Sequence, residues 1–167
     1  GKSTLMKILA NLEQVRAWQA PTLQPEQNEI TIVTPLPLYH IFSLTANCLA
    51  YMKMGGCNVL IPNPRDIPGF VKELAKHEWH VLTGVNTLFA GLMHEDWFKA
   101  QTTFSLKGTV AGGMALVPAV GERWEAMTKT PMYQGYGLTE TSPVVSLVPF
   151  HRNKRESIGT PVPGTDI

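Results

Sequence analysis

What the sequence lacks narrows its function first. It has two cysteines, Cys48 and Cys57, with neither a CxxC pair nor a histidine at metal-ligand spacing. No zinc or iron–sulfur framework can be read from that pattern, and the two residues read as buried thiols in a reducing compartment. No run approaches the roughly 18 apolar residues of a membrane span, and no signal peptide leads the chain. A soluble, cytoplasmic protein is the expectation. Excess charge of one sign is missing as well: the formal net charge is +1, and the one basic cluster, Arg152, Lys154 and Arg155, reads as a solvated loop. Nucleic acid as a partner is thereby excluded. There is no low-complexity segment and no internal repeat. The opening GKST spells half of a phosphate-gripping loop, but a working loop needs a glycine five residues before Gly1. The sequence begins at that glycine rather than at methionine and stops at Asp166-Ile167 in mid-pattern. A piece of a longer protein is therefore expected.

What is present is the composition of one globular domain, with 44% hydrophobic and 16% charged residues over 167 positions. Leu5, Ile8, Leu9, Leu12 and Val15 recur at helical spacing until Pro21 and Pro25 break the pattern. EITIVTPLP then reads as a strand and HIFSLTANCLAYMKMGG as an apolar helix closed by two glycines. The alternation continues: NVLIP, HVLTGV, GTVAGG and TPMYQGYG as strands, with IPGFVKELAKHE, NTLFAGLMHE (capped by Asn86) and PAVGERWEAMTK as helices. Short, almost wholly apolar strands separated by amphipathic helices imply parallel strands buried on both faces. The fold class is α/β, an open, doubly wound, mostly parallel sheet with helices on both faces. Pro149 to Ser157, polar and basic, is the one linker-like stretch.

In such sheets ligands bind beyond the carboxyl ends of the strands. The loops expected there are LPLYH at 36–40, TGVN at 83–86, AGGM at 111–114 and QGYGLTETS at 134–142. Each mixes glycine, aromatic, hydroxyl or acid. The last is the sharpest. Two glycines flank Tyr136, so the backbone can approach a planar ligand while the ring offers a stacking face. Thr139 and Glu140 add a hydroxyl and a carboxylate within one turn. That set suits a nucleotide and a hard cation, which takes carboxylate and phosphate oxygens. The same residues could instead merely cap a helix.

YQGYGLTETSPVVS resembles the adenine-and-magnesium signature of the adenylate-forming acyl-CoA synthetases, and within that superfamily bacterial long-chain fatty-acid–CoA ligases. PLYHIFSLTANCL, NPRDIPGFVKELAKH, TGVNTLF, AGGM and SIGTPVP resemble that subfamily in order and spacing, from Ile8 to the C-terminus. The implied organisation is residues 8–167 as part of an AMP-binding (adenylation) domain within the family's large N-terminal domain, with 1–7 a divergent or foreign junction. The alternative reading of GKST, a transporter-type ATPase, lacks the expected hydrophobic run with a catalytic acid pair and any LSGGQ-like segment. Lys2 keeps a minor place as a phosphate ligand.

The resemblance implies roles residue by residue. Gly112 and Gly113 form the turn under adenine and acyl carboxylate; Gly135, Tyr136 and Gly137 sandwich the adenine; Thr139 contacts the α-phosphate; Glu140 coordinates Mg²⁺. His40 lies beside the acyl and phosphate groups, and Thr83, Gly84, Val85 and Phe89 wall the fatty-acyl tunnel. His40, Thr139 and Glu140 make the catalytic set. Plainer readings stand beside these: His40 as an ordinary loop residue, Gly112-Gly113 as a tight turn, and Val85, Phe89, Leu92 and Met93 as helix core. The implied activity joins a fatty acid to ATP and then to coenzyme A. Its partners are those three molecules, with peripheral membrane contact of the parent an open alternative. The family's upstream phosphate loop, ribose-binding aspartate, hinge and C-terminal domain are not in this sequence, so the fragment alone is expected to be inactive. A non-catalytic nucleotide- or acyl-binding segment is the other reading.

Overall fold

Five β-rich runs fall where alternation predicts them in a computed structural model, which describes residues 30–167. They are β1 (Thr31–Thr34), β2 (Cys57–Leu60), β3 (Val81–Gly84), β4 (Gly108–Ala111) and β5 (Met132–Gly137). All pair in parallel, in the order β2-β1-β3-β4-β5. Two further strands extend the sheet antiparallel beyond β5: β6 (Val144–Leu147) and β7 (Thr160–Pro161). The seven-stranded sheet is thus mixed and mostly parallel, and the stretch that reads as a linker, 149–157, connects β6 to β7. The helix expected near Lys2 to Gln19 and the junction at 1–7 lie outside the described residues.

A widened, π-helical segment, Ser43–Leu49, runs into α1 (Ala50–Lys53) between β1 and β2. The remaining helices are α2 (Ile67–Leu74), α3 (Asn86–His94), α4 (Asp96–Ala100) and α5 (Pro118–Thr128). Asp66 caps α2, its carboxylate accepting from the Gly69 N–H at 3.0 Å, with Pro68 in the first turn. Asn86 does not cap α3, contrary to the expectation from its place before an apolar run. Val85 is the capping position, and the Asn86 amide instead donates to the Ala115 carbonyl and accepts from the Val117 N–H, both at 2.9 Å. It fastens α3 to the loop that follows β4.

Side chains alternate across the strands and feed two different interiors. Val33, Leu82 and Ala111 face the larger core, with Phe89, Leu92 and Met93 from α3, Phe98 from α4 and Trp124 from α5. Trp124 is fully buried, meets Phe89 and Phe98 at ring-centroid distances of 5.0 and 5.2 Å, and donates its indole N–H to Thr109 Oγ1 at 2.9 Å. On the other face Ile32 and Val81 pack with Ala50 and Tyr51, while Val110 packs with Leu147 and Val162. Burial pushes the Tyr51 phenol well above its ordinary pKa. No helix among the described residues is long and apolar enough to cross a membrane.

Candidate active site

The strand order places a topological switch between β1 and β3. From β1 the chain turns outward to β2, then returns past β1 to β3 and proceeds to β4 and β5. The loops leaving β1 and β3 therefore diverge and open a crevice at the strand ends. A cavity of about 300 Å³ lies there, on the face carrying the π-helical segment. Its sheet wall is Thr83 and Val110; Phe42 comes from the capping position of the π-helical segment, Ala46 from within it, and Val144 and Leu147 from β6. Its mouth is formed by His40, Gly112, Gly113 and the segment Gly135 to Glu140.

Each loop is shaped by local chemistry. After β4, Gly113 adopts φ +81°, which L side chains rarely adopt, and a Cβ on Gly112 would sit 3.0 Å from the Phe42 ring. This turn is therefore kept free of side chains where it borders the cavity. At the end of β5 a Cβ on Gly137 would collide with the Pro143 carbonyl, because β5 and β6 approach closely at a bulge. The one-turn helix Thr139–Thr141 at the hairpin tip is held by Thr141, whose hydroxyl accepts from the Leu138 N–H at 2.9 Å and lies 2.7 Å from the Pro143 carbonyl. Thr139 and Glu140 stand exposed at this tip, and the Tyr136 ring is 45% exposed, its face available. His40 is exposed, and its Nδ1 accepts from the Phe42 N–H at 3.2 Å. That bond leaves the imidazole proton on Nε2, the atom free to meet a ligand.

Of the residues singled out in the sequence, His40, Thr83, Gly112, Gly113, Gly135, Tyr136, Gly137, Thr139 and Glu140 line this one cavity. Gly84, Val85 and Phe89 do not. Phe89 is fully buried against Trp124 on the opposite face, and Val85 borders a second, more open groove with Pro35, Arg65 and Leu88. Phe42, Ala46, Val144 and Leu147 were not singled out. The signal for the last two is the apolar run VVSLV after the TETS loop, which reads as a further strand once β5 is placed. The basic cluster is engaged in part: Arg155 pairs with Glu125 and approaches Glu122 at 3.8 Å. Glu125 in turn accepts from the Met132 N–H at 2.8 Å, tying α5 to the start of β5.

The chain is 48% identical over 165 residues to a long-chain-fatty-acid–CoA ligase from Yersinia pestis, covering 98% of this chain and 29% of that protein. It is 49% identical over 164 residues to the enzyme of the same name from Salmonella typhi, with the same coverage of each. It thus spans less than a third of the length of the curated relatives it matches. A crystal structure of ATP-bound MatB from Rhodopseudomonas palustris superposes with a TM-score of 0.80 at 21% identity, covering 95% of this chain and 30% of that one. That likeness speaks for the fold. The family described as "AMP-binding enzyme" matches residues 4–167, a span that takes in every strand bordering the cavity. The chain belongs to that family.

Proposed function

We propose that the cavity is the nucleotide and acyl site of a long-chain fatty-acid–CoA ligase, of which residues 8–167 form part of the adenylation domain and residues 1–7 a divergent or foreign junction. The observation that carries this reading is convergence: three separate segments, the loop after β1, the turn after β4 and the β5–β6 hairpin, bring an imidazole N–H, a side-chain-free turn, and a stacking ring with a hydroxyl–carboxylate pair to one cavity at the switch point. The name shared by relatives near half identity supplies the substrate class.

In this reading Tyr136 stacks on adenine and Gly135 and Gly137 let the backbone approach its edge. The Thr139 hydroxyl donates to the α-phosphate, and His40 Nε2–H meets a phosphate or carboxylate oxygen. A fatty-acid carboxylate oxygen bonds to the α-phosphorus as the bond to the bridging oxygen breaks, releasing pyrophosphate. The coenzyme A thiol sulfur then bonds to the acyl carbon, its proton passing to solvent, and AMP leaves with the electron pair of the C–O bond. The donors at the mouth offset charge on the phosphates, and positioning does most of the remaining work. Glu140 offers the hard carboxylate oxygen that Mg²⁺ takes, and the other ligands would be phosphate oxygens and water. Bound there, the ion would neutralise phosphate charge. Fatty-acid-dependent exchange of labelled pyrophosphate into ATP by the full-length protein tests the assignment. Exchange with palmitate is expected, and its absence across fatty acids of all lengths would defeat the reading. The 167-residue chain alone is expected to give none, since the family's upstream phosphate loop and C-terminal domain are not in it.

A further inference from the structure

One side chain on the sheet wall of the cavity does not fit an apolar lining. Thr83 is 3% exposed and lines the cavity together with Ala46, Val110 and Leu147. Its hydroxyl is held from behind: Asn47 Nδ2 donates to Thr83 Oγ1 at 2.6 Å, and both side chains are buried. Asn47 is itself fixed from the edge of the sheet. Its main-chain carbonyl accepts from the Asn58 amide at 3.0 Å, and Asn58 accepts from the Thr34 hydroxyl at 2.5 Å. A polar chain therefore runs from β1 and β2 through the π-helical segment to the cavity wall. Asn47 Oδ1 ends it buried and without a partner. Such an orphaned oxygen is costly and rare, and it persists where a polar group is placed for another purpose.

The direction of the bond matters. An amide N–H that donates to Thr83 occupies a lone pair of its oxygen and leaves the hydroxyl proton to be given. We propose that Asn47 is a positioning residue that turns the Thr83 hydroxyl into a hydrogen-bond donor facing the cavity, and that the atom it meets is the carboxylate or acyl carbonyl oxygen of the substrate rather than its hydrocarbon tail. A carboxylate accepts and cannot donate, so it matches a wall that offers one proton and otherwise only methyl and methylene groups. The pair would register the acyl head along the cavity, setting how far the substrate enters before its head stops. This rests on the acyl-adenylating reading above.

The test uses the full-length protein, with KM for palmitate and for ATP measured separately. Thr83→Val keeps shape and removes the donor; it should raise KM for palmitate about tenfold or more, the scale of a hydrogen bond to a charged group, and leave KM for ATP within twofold. Thr83→Ser should restore the native value. Asn47→Asp keeps the outline of the amide but accepts where the amide donates, and it should shift KM for palmitate in the same sense. In the Thr83→Val background it should add nothing further, because it acts through that hydroxyl. Melting temperatures of all variants separate misfolding from misplacement, and Thr83→Val alone decides the point if Asn47→Asp does not fold. An unchanged or lowered KM for palmitate in Thr83→Val would put the tail, not the head, against this wall and overturn the proposal. Additive losses from the two substitutions would overturn the role of Asn47. A native protein with no fatty-acid-dependent exchange would instead remove the underlying reading, and this proposal with it.

Discussion

The two faces of one sheet are built on opposite plans. On the face covered by α2 to α5, rings fill the interior: Phe89 and Phe98 both pack against the fully buried Trp124. On the face under the π-helical segment, the sequence withholds side chains at Gly112, Gly113, Gly135 and Gly137, and a cavity opens beside the same strands. Neighbouring positions show the division. Leu82 and Ala111 enter the core, while Thr83 and Val110 line the cavity. One face supplies stability and the other spends the space that stability provides. Substitutions on the two faces should therefore separate cleanly into effects on folding and effects on binding.

The largest effect belongs to the packed face. Trp124→Ala removes a fully buried ring and strands the Thr109 hydroxyl, and should cost roughly 3–5 kcal/mol in chemical denaturation of the full-length protein. A loss under 1 kcal/mol would break the contrast. Next comes Glu140→Gln on the exposed hairpin tip. Adenylation in a single turnover should fall by about two orders of magnitude, while thioester formation from supplied acyl-adenylate, which has no pyrophosphate to neutralise, falls much less. The melting temperature should not move. Equal losses in both half-reactions would reduce Glu140 to a turn residue.

Tyr136→Ala is smaller again. Loss of a stacking face should weaken ATP binding by about 1 kcal/mol, or fivefold in Kd, with fatty-acid selectivity intact. Unchanged ATP affinity in calorimetry would move the adenine elsewhere. The smallest effect lies at the opposite rim, where His80 Nδ1 accepts from the Thr31 N–H at 3.0 Å. Burial, and then Lys107, hold its pKa below the ordinary 6.5, with Glu78 opposing them. The unfolded chain therefore binds a proton before the folded one does. His80 contributes no penalty above pH 6.5, and stability falls as pH drops from there through the lowered folded value. In His80→Asn, which can still accept from Thr31, this part of the pH dependence of stability should disappear.

Much of this was legible in the sequence, and the reasons differ by element. Strands β1, β3 and β4 announce themselves because burial on both faces demands short, almost wholly apolar runs, while the edge strand β2 and the exposed end of β5 are marked by their place in the strand–helix alternation; the common side of their loops follows from right-handed crossovers. The glycine–tyrosine loop and the Gly112-Gly113 turn could be found because close approach and positive φ demand glycine. The hairpin β6–β7 was harder, because Pro143, Pro149 and Pro161 break the run that would mark a strand. Asn86 misled because capping strength is local, whereas its amide is claimed by a loop some thirty residues away. Phe89 carries helical spacing that suits core and cavity wall alike, and only the direction of the crossover decides which. The widening at Ser43–Leu49 leaves no periodic mark; it lies in where the Ala50 N–H finds its acceptors, the Thr45 and Asn47 carbonyls.

The sheet also ends differently at its two margins. β7 is two residues long and finishes in Pro161, which cannot donate to another strand. β2, Cys57–Leu60, pairs on one side with β1, carries no proline or lysine within it, and leaves Leu60 half exposed. Among the described residues no strand pairs with its outer side, whose N–H and C=O groups offer a template onto which a second extended segment can be zipped. Where that margin stands open, turbidity that rises with concentration, with secondary structure intact, would be the sign that a second copy has paired there.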